Sequence, residues 1–266
     1  MENNQFFNLR RFGMLCRMEW IGAWKMHLRR FVACYAGLAF VLVGYGLGDS
    51  NPSLPAYEHN LRFLVHAGLF VMGAFFASCF MECMKTKEGR IAYLMLPASA
   101  FEKYLSRWLL FTVGFVLMYI LAFELADWTR VVVSKMYYSD LAEQIKPLDL
   151  SCYIYGADGN VSTWSLQRTG ILIAMCCFVQ SLFVLGSSIW PKKTIGKTLI
   201  AIVLICLANI QLGHFICKEW GGFHNPILND NDAMTYLVMT IGAVFAVFNW
   251  TLAYFRFKES EIINRW

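Results

Sequence analysis

Six apolar stretches, near 31–48, 63–81, 108–126, 170–190, 198–216 and 235–255, recur along a chain of 266 residues. A helix needs roughly 20 mainly apolar residues to cross the hydrocarbon core of a bilayer. No water reaches that core, so each backbone N–H and C=O must find its partner within the chain, which a helix provides. The pattern predicts an all-α integral membrane protein with six transmembrane helices. Composition agrees: 58% of residues are hydrophobic and 15% charged, against about 25% charged in soluble domains.

Lysine and arginine concentrate in cytoplasmic loops of membrane proteins. Here 17 of the 23 basic residues fall in segments 1–30, 82–107, 191–197 and 256–266. The opposite loops hold only Arg62, Arg130, Lys135, Lys146, Arg168 and Lys218. The alternation predicts cytoplasmic N- and C-termini and a multi-pass protein of the cell inner (cytoplasmic) membrane. The net charge of +5 reads as topology, and no nucleic acid is expected as a partner, because no basic patch lies on a soluble domain. No signal peptide is expected, since the first apolar run follows a long basic segment. No Cys or His spacing suggests a metal site. Of nine cysteines, Cys152 and Cys217 fall on the outer side, and whether they pair is left open by the sequence.

Residues 4–30 combine Phe6, Phe7, Phe12, Trp20 and Trp24 with Arg10, Arg11, Arg17 and Lys25. Bulky aromatics beside basic side chains predict an amphipathic helix at the membrane interface, touching lipid. The six-span domain then occupies 31–256, and 257–266 forms a cytoplasmic tail. Residues 127–169 make the one large outer segment, with VVVSKMYYSDLAEQI partly helical and YGADGNVS a turn. Asn160-Val161-Ser162 matches a glycosylation acceptor, a motif frequent by chance. Gly196-Lys197-Thr198 resembles the end of a phosphate-binding loop. Pro191 stands where the required glycine should be, so no nucleotide site is expected there.

The longest inner connection is 82–107. KTKEGRIAYLML predicts a short helix with Ile91, Leu94 and Met95 on one face. Pro97 ends it. Ser99 and Glu102 form a capping box, so a new helix starts near residue 100 and runs to about 126. Its length, roughly 40 Å at 1.5 Å per residue, exceeds the hydrocarbon thickness, which leaves its first turns outside.

This layout resembles the membrane subunits of ABC type-2 (type V) exporters, closest to a group of short bacterial permeases. The carrying phrase is Glu88-Gly89, then Leu96-Pro97-Ala98-Ser99, then Glu102-Lys103-Tyr104-Leu105. It covers about 25 residues, while the overall layout covers nearly the whole chain. The resemblance implies that 84–99 is a coupling helix docking on a separate ABC ATPase subunit, present in two copies. Lys87, Glu88, Arg90, Tyr93, Leu94, Leu96, Pro97, Ser99 and Glu102 would form that docking element. Tyr93, Leu94 and Leu96 would be apolar anchors, and Lys87, Glu88 and Arg90 would orient the contact. It also implies a second membrane half, identical or related. ATP and Mg would bind the partner ATPase, with no cofactor in this chain. The large outer segment between spans three and four matches no domain of that family that we can name.

Ionisable and amide side chains within spans are functional candidates. His66, Glu124, Gln180, Asn209, Gln211 and Asn249 are the candidates for a transport path, each weighed against ordinary hydrogen bonding between helices or, for Glu124, a boundary carboxylate. Gly37, Gly44, Gly46 and Gly48 in span one permit close helix approach and suit a contact between membrane halves. The leading expectation is thus the transmembrane half of an ATP-driven exporter, with a lipid-like or hydrophobic cargo favoured by the scarcity of buried charge. Two other classes stand beside it: an intramembrane enzyme, against which the chain has no HExxH, no Ser-His arrangement in a recognisable setting and no pair of acidic residues at mid-depth, and a non-transporting assembly or mechanotransmission subunit. No catalytic residue is assigned to this chain.

Overall fold

The computed structural model describes residues 7–48, 55–143, 145–148, 163–220 and 231–260. Among them every regular element is helical. In chain order these are α1 (Leu9–Gly22), α2 (Trp24–Gly48), α3 (Pro55–Ser78), α4 (Lys87–Leu94), α5 (Ala100–Trp108), α6 (Gly114–Tyr137), α7 (Thr163–Ile189), α8 (Thr194–Trp220) and α9 (Asn231–Ser260). A π-helical turn, Leu109–Val113, joins α5 to α6. Five helical stretches are long and apolar enough to cross a membrane: Trp24–Gly48, Tyr57–Met84, Ala100–Tyr137, Thr169–Ile189 and Ala233–Ser260. The apolar part found on α8 is shorter, Thr194–Ala208.

Several boundaries move outward from those expected. The segment predicted as one interfacial helix breaks at Ala23, after Gly22, and α2 begins at Trp24 rather than 31. Helix α3 starts at Pro55, where a missing N–H costs nothing at a helix start. The third long helix continues through Asp127 and VVVSKMY to Tyr137, about ten residues beyond its expected end and into the stretch expected to be partly helical. That helix, 38 residues with its π turn, is about 57 Å long at 1.5 Å per residue. Most of the rest of the segment expected on the outer side, with Cys152 and Asn160, lies outside the described residues, as do the last six residues of the expected tail.

Two compact units divide the chain: Met1–Gly73 with Pro97–Ser151, and Ala74–Leu96 with Cys152–Trp266. In the first, α2 and α6 pack directly against each other and run parallel, and α3 runs antiparallel to them. The pairings fix this: Tyr57 meets Arg130, the Tyr119 hydroxyl donates to the Val65 carbonyl at 2.6 Å, and Gly73 faces Phe115. Gly46 of α2 is a required glycine. A Cβ there would stand 2.9 Å from the Ser134 hydroxyl and 3.2 Å from that of Tyr57. The close approach expected of span one is therefore used inside this chain at Gly46.

In the second unit α7 and α9 run parallel in a constant register. Gln167 meets Tyr236, Gly170 meets Met239, Ala174 meets Gly242, Phe178 meets Phe245, and Ser181 meets Asn249. The α7 partners recur every three or four residues, the spacing of one helix face. Small residues at three of these levels let the backbones approach, the usual basis of helix association in lipid. A tight turn, Pro191–Lys193, leads into α8, and Thr198 packs against Gly186 of α7.

Candidate functional site: the elbow between the second and third long helices

The chain between α3 and α6 is built from local signals that can be followed atom by atom. After Ser78 the backbone tightens into a 3-10 turn, Glu82–Met84. Thr86 then caps α4, accepting the Gly89 N–H at 3.1 Å. Gly89 is the second position where only glycine fits. A Cβ there would lie 2.7 Å from the Cys83 carbonyl oxygen, so α4 folds back closely on the turn before it. Helix α4 is eight residues long and ends before Met95.

The two faces of α4 differ. Arg90 and Tyr93 point inward, 9% and 6% exposed. The Tyr93 ring meets Phe257 of α9, with centroids 6.2 Å apart. Phe257 also lines a small crevice with Met81, Met84, Ser188, Pro191 and Ser260. Lys87, Glu88, Ile91 and Met95 face outward, Ile91 at 57% and Met95 at 78% exposure. Leu94 and Leu96 are half-buried, and Pro97 is exposed. The outward apolar pair is therefore Ile91 and Met95, which were not among the expected docking residues. Periodicity placed Ile91 and Met95 on one face; which face is covered depends on Phe257, more than 160 positions away in sequence.

Ser99 and Glu102 form the expected capping box. The Ser99 hydroxyl accepts the Glu102 N–H at 3.2 Å, and the Glu102 carboxylate accepts the Ser99 N–H at 2.9 Å. Glu102 does more than close a helix end. It is completely buried and also accepts from the Asn8 N–H at 2.7 Å and from Arg11 Nε and Nη2 at 2.7 and 2.9 Å. Asn8 in turn caps α1, accepting the Arg10 and Arg11 N–H groups. One carboxylate thus sits at the positive ends of both α1 and α5. Burial alone would raise its pKa. The Arg11 guanidinium and the two backbone N–H groups favour the ionised form more strongly and hold it at about 2.

A fully buried ion pair stands near the end of α6. Arg130 Nε donates to Asp127 at 2.7 Å, with both side chains at most 2% exposed. Arg130 also donates to the Tyr57 hydroxyl at 3.3 Å and to the Lys146 carbonyl at 3.0 Å, while Asp127 accepts the Leu148 N–H at 2.7 Å. The pair therefore ties residues 146–148 to α3 and α6.

The candidate path residues do not form one cluster. Asn249 is buried and donates to the Ser181 hydroxyl at 3.0 Å. Gln180 is buried on α7, one residue from Ser181. Such interhelical bonds in lipid are worth roughly 0.6–2 kcal/mol. His66 is half-buried on α3; Glu124 and Gln211 are exposed on α6 and α8. The side chains of Asn209 and Cys217 lie outside the described ones. Thr198, at the end of the phosphate-loop look-alike, is buried against Gly186. Compared with protein-family models, with curated proteins and with solved structures, the chain matches none.

Proposed function

We propose that this chain is the membrane half of an ATP-driven exporter, with α4 as the element that a separate ABC ATPase grips. The observation that carries the reading is the two-faced α4. It is a short helix between two long apolar ones, fixed on its inner face by Tyr93 against Phe257, and it leaves Ile91 and Met95 outward between Lys87 and Glu88. A helix mounted in this way transmits a displacement instead of absorbing it. The ATPase partner would bind ATP and Mg, and a second membrane half, identical or related, would complete the transporter.

Six spans with both ends cytoplasmic belong to the same proposal. Support comes from the parallel register of α7 and α9, which requires the intervening chain to return across the full height of the pair. Helix α8, 27 residues, reaches about 40 Å, enough to make that crossing through a core about 30 Å thick. The basic excess around α4 supports a cytoplasmic position for it at the inner membrane. The low content of buried charge at mid-span favours a lipid-like or hydrophobic cargo.

The test replaces Ile91 and Met95 with Asp. Membrane insertion and thermal stability are expected to stay unchanged, because both side chains are exposed. Co-purification with an ATPase expressed alongside is expected to fall at least about tenfold, since apolar anchors carry most of an interface's energy. Unchanged co-purification removes α4 from the docking role. ATPase binding without cargo movement would identify a mechanotransmitting relative instead.

A further inference from the structure

We infer that the exposed face of α6 around Glu124 is an interaction surface for a membrane-spanning helix of another protein, one that brings a basic side chain to the level of Glu124. The inference stands independently of the export reading, since neither α4 nor an ATPase enters it. In the sequence Glu124 could pass for a boundary carboxylate at the end of a span. The structure carries the helix on to Tyr137, about 20 Å further at 1.5 Å per residue. Glu124 therefore stands within a long helix, well short of its end.

The surface around it is apolar. Leu117, Ile120, Leu121 and Leu125 lie before or beside Glu124, and Trp128 and Val132 follow it, each between 44% and 61% exposed. Residues three, four and seven apart share a helix face, so most of these side chains form one strip with Glu124, which is itself exposed. Between Arg107 and Lys135 the only charged side chains are Glu124, Asp127 and Arg130. Asp127 and Arg130 satisfy each other in their buried pair. Glu124 makes no hydrogen bond or ion pair among the described residues. Position 121 is halfway between Arg107 and Lys135, so Glu124 stands about 4.5 Å from the middle of that stretch.

A charged side chain at such depth is costly, and it nearly always faces a bundle interior or an aqueous cavity. Here it points outward along an apolar strip. Charge complementarity selects the occupant. A lipid tail offers no donor. A second copy meeting this face about a two-fold axis along the membrane normal would set Glu124 against Glu124, two like charges. A separate helix with aliphatic side chains against Leu121 and Leu125 and a lysine or arginine beside Glu124 matches both the strip and the charge. Opposite charges attract more strongly where water is excluded. Trp128, one turn further along, supplies an indole ring whose face also attracts cations.

The experiment uses the full chain, fluorescently labelled, in phosphatidylcholine vesicles. The probe is a synthetic leucine-alanine transmembrane helix with one lysine near its centre, so that either orientation brings the lysine close to the level of Glu124. Control helices carry leucine or glutamate at that place. Energy transfer is expected to show the lysine helix associating about tenfold more strongly than the leucine helix, a factor in the range of polar contacts between helices in lipid. Glu124→Gln is expected to bring the lysine helix down to the level of the leucine helix. Glu124→Lys is expected to transfer the preference to the glutamate helix. Because Glu124 is exposed, thermal unfolding of both variants is expected to match that of the unaltered chain, which separates loss of binding from loss of fold. Equal association of the lysine and leucine helices overturns the proposal, as does association undiminished by Glu124→Gln. Energy transfer between labelled copies of the chain that Glu124→Gln abolishes would assign the face to a second copy and overturn the separate partner. A photo-crosslinker at position 121 that captures the chain's own second unit would overturn it as well.

Discussion

Replacing Arg130 with Met is expected to destabilise the first unit by about 3–5 kcal/mol, the usual cost of leaving one member of a buried ion pair without the other. Asp127 would remain 2% exposed with its strongest partner gone, and the Lys146 carbonyl would lose its guanidinium donor. Thermal unfolding in detergent, followed by circular dichroism, measures the loss. The double substitution D127L/R130M separates the cost of an orphaned charge from the worth of the pair. It is expected to recover a large part of the stability, because replacing a buried pair by apolar groups is often neutral. Amide exchange at Leu148 gives a local reading: its N–H donates to Asp127 and is expected to exchange faster in both variants. Unchanged stability in R130M would mean that water reaches the pair and screens it.

The second large effect concerns Glu102. Glu102→Ala removes the acceptor for the Asn8 and Ser99 N–H groups and for Arg11. The Arg11 side chain is one-third exposed, so that part of the contact is discounted for solvent screening. The two backbone bonds to a buried carboxylate dominate, and a loss of about 2–3 kcal/mol is expected. It should appear as tryptic cleavage at Arg10 and Arg17 in α1, with α6 left intact. The same contact predicts acid sensitivity. The folded-state pKa is depressed from 4.5 to about 2, so the stabilisation is complete above about 4.5 and is lost as pH falls toward 2. Amide exchange across Leu9–Gly22, corrected for its intrinsic rate, is expected to rise in that window. Glu102→Gln, neutral throughout, should show faster exchange already at neutral pH and no further acid-induced rise. Identical profiles for the two proteins would show that Glu102 does not hold α1.

What could be read from the sequence followed the range of the interactions. The Ser99–Glu102 capping box and the break at Pro97 depend on neighbours a few residues apart, and both stand where expected. The apolar runs mark the long helices for the same reason, since each must satisfy its own backbone. Their ends are not marked in the sequence where polar residues are buried by distant partners. Asp127 and Arg130 look like loop residues until Tyr57 and residues 146–148 are brought beside them, and α6 therefore extends to Tyr137. Arg90 and Tyr93 read as docking residues from the sequence; both face inward, and Phe257, which meets Tyr93, has no local mark in that stretch. Nothing in LLFTV foretells a π turn. The link from Glu102 to α1 spans more than 90 positions, and Asn8 and Arg11 carry no local mark of it. By contrast, the small residues Gly170, Ala174 and Gly242 do leave a trace of the α7–α9 register, at the spacing of a helix face.

The seating of Tyr93 on Phe257 gives the short helix two routes of connection. One follows the peptide chain into α3 and onward through Pro97 to α5. The other passes directly through two aromatic rings into α9. A push on α4 would load α9 near Phe257 without help from any covalent linkage. The in-register stripe would then carry that load across to α7, so that a pair of rods responds as one.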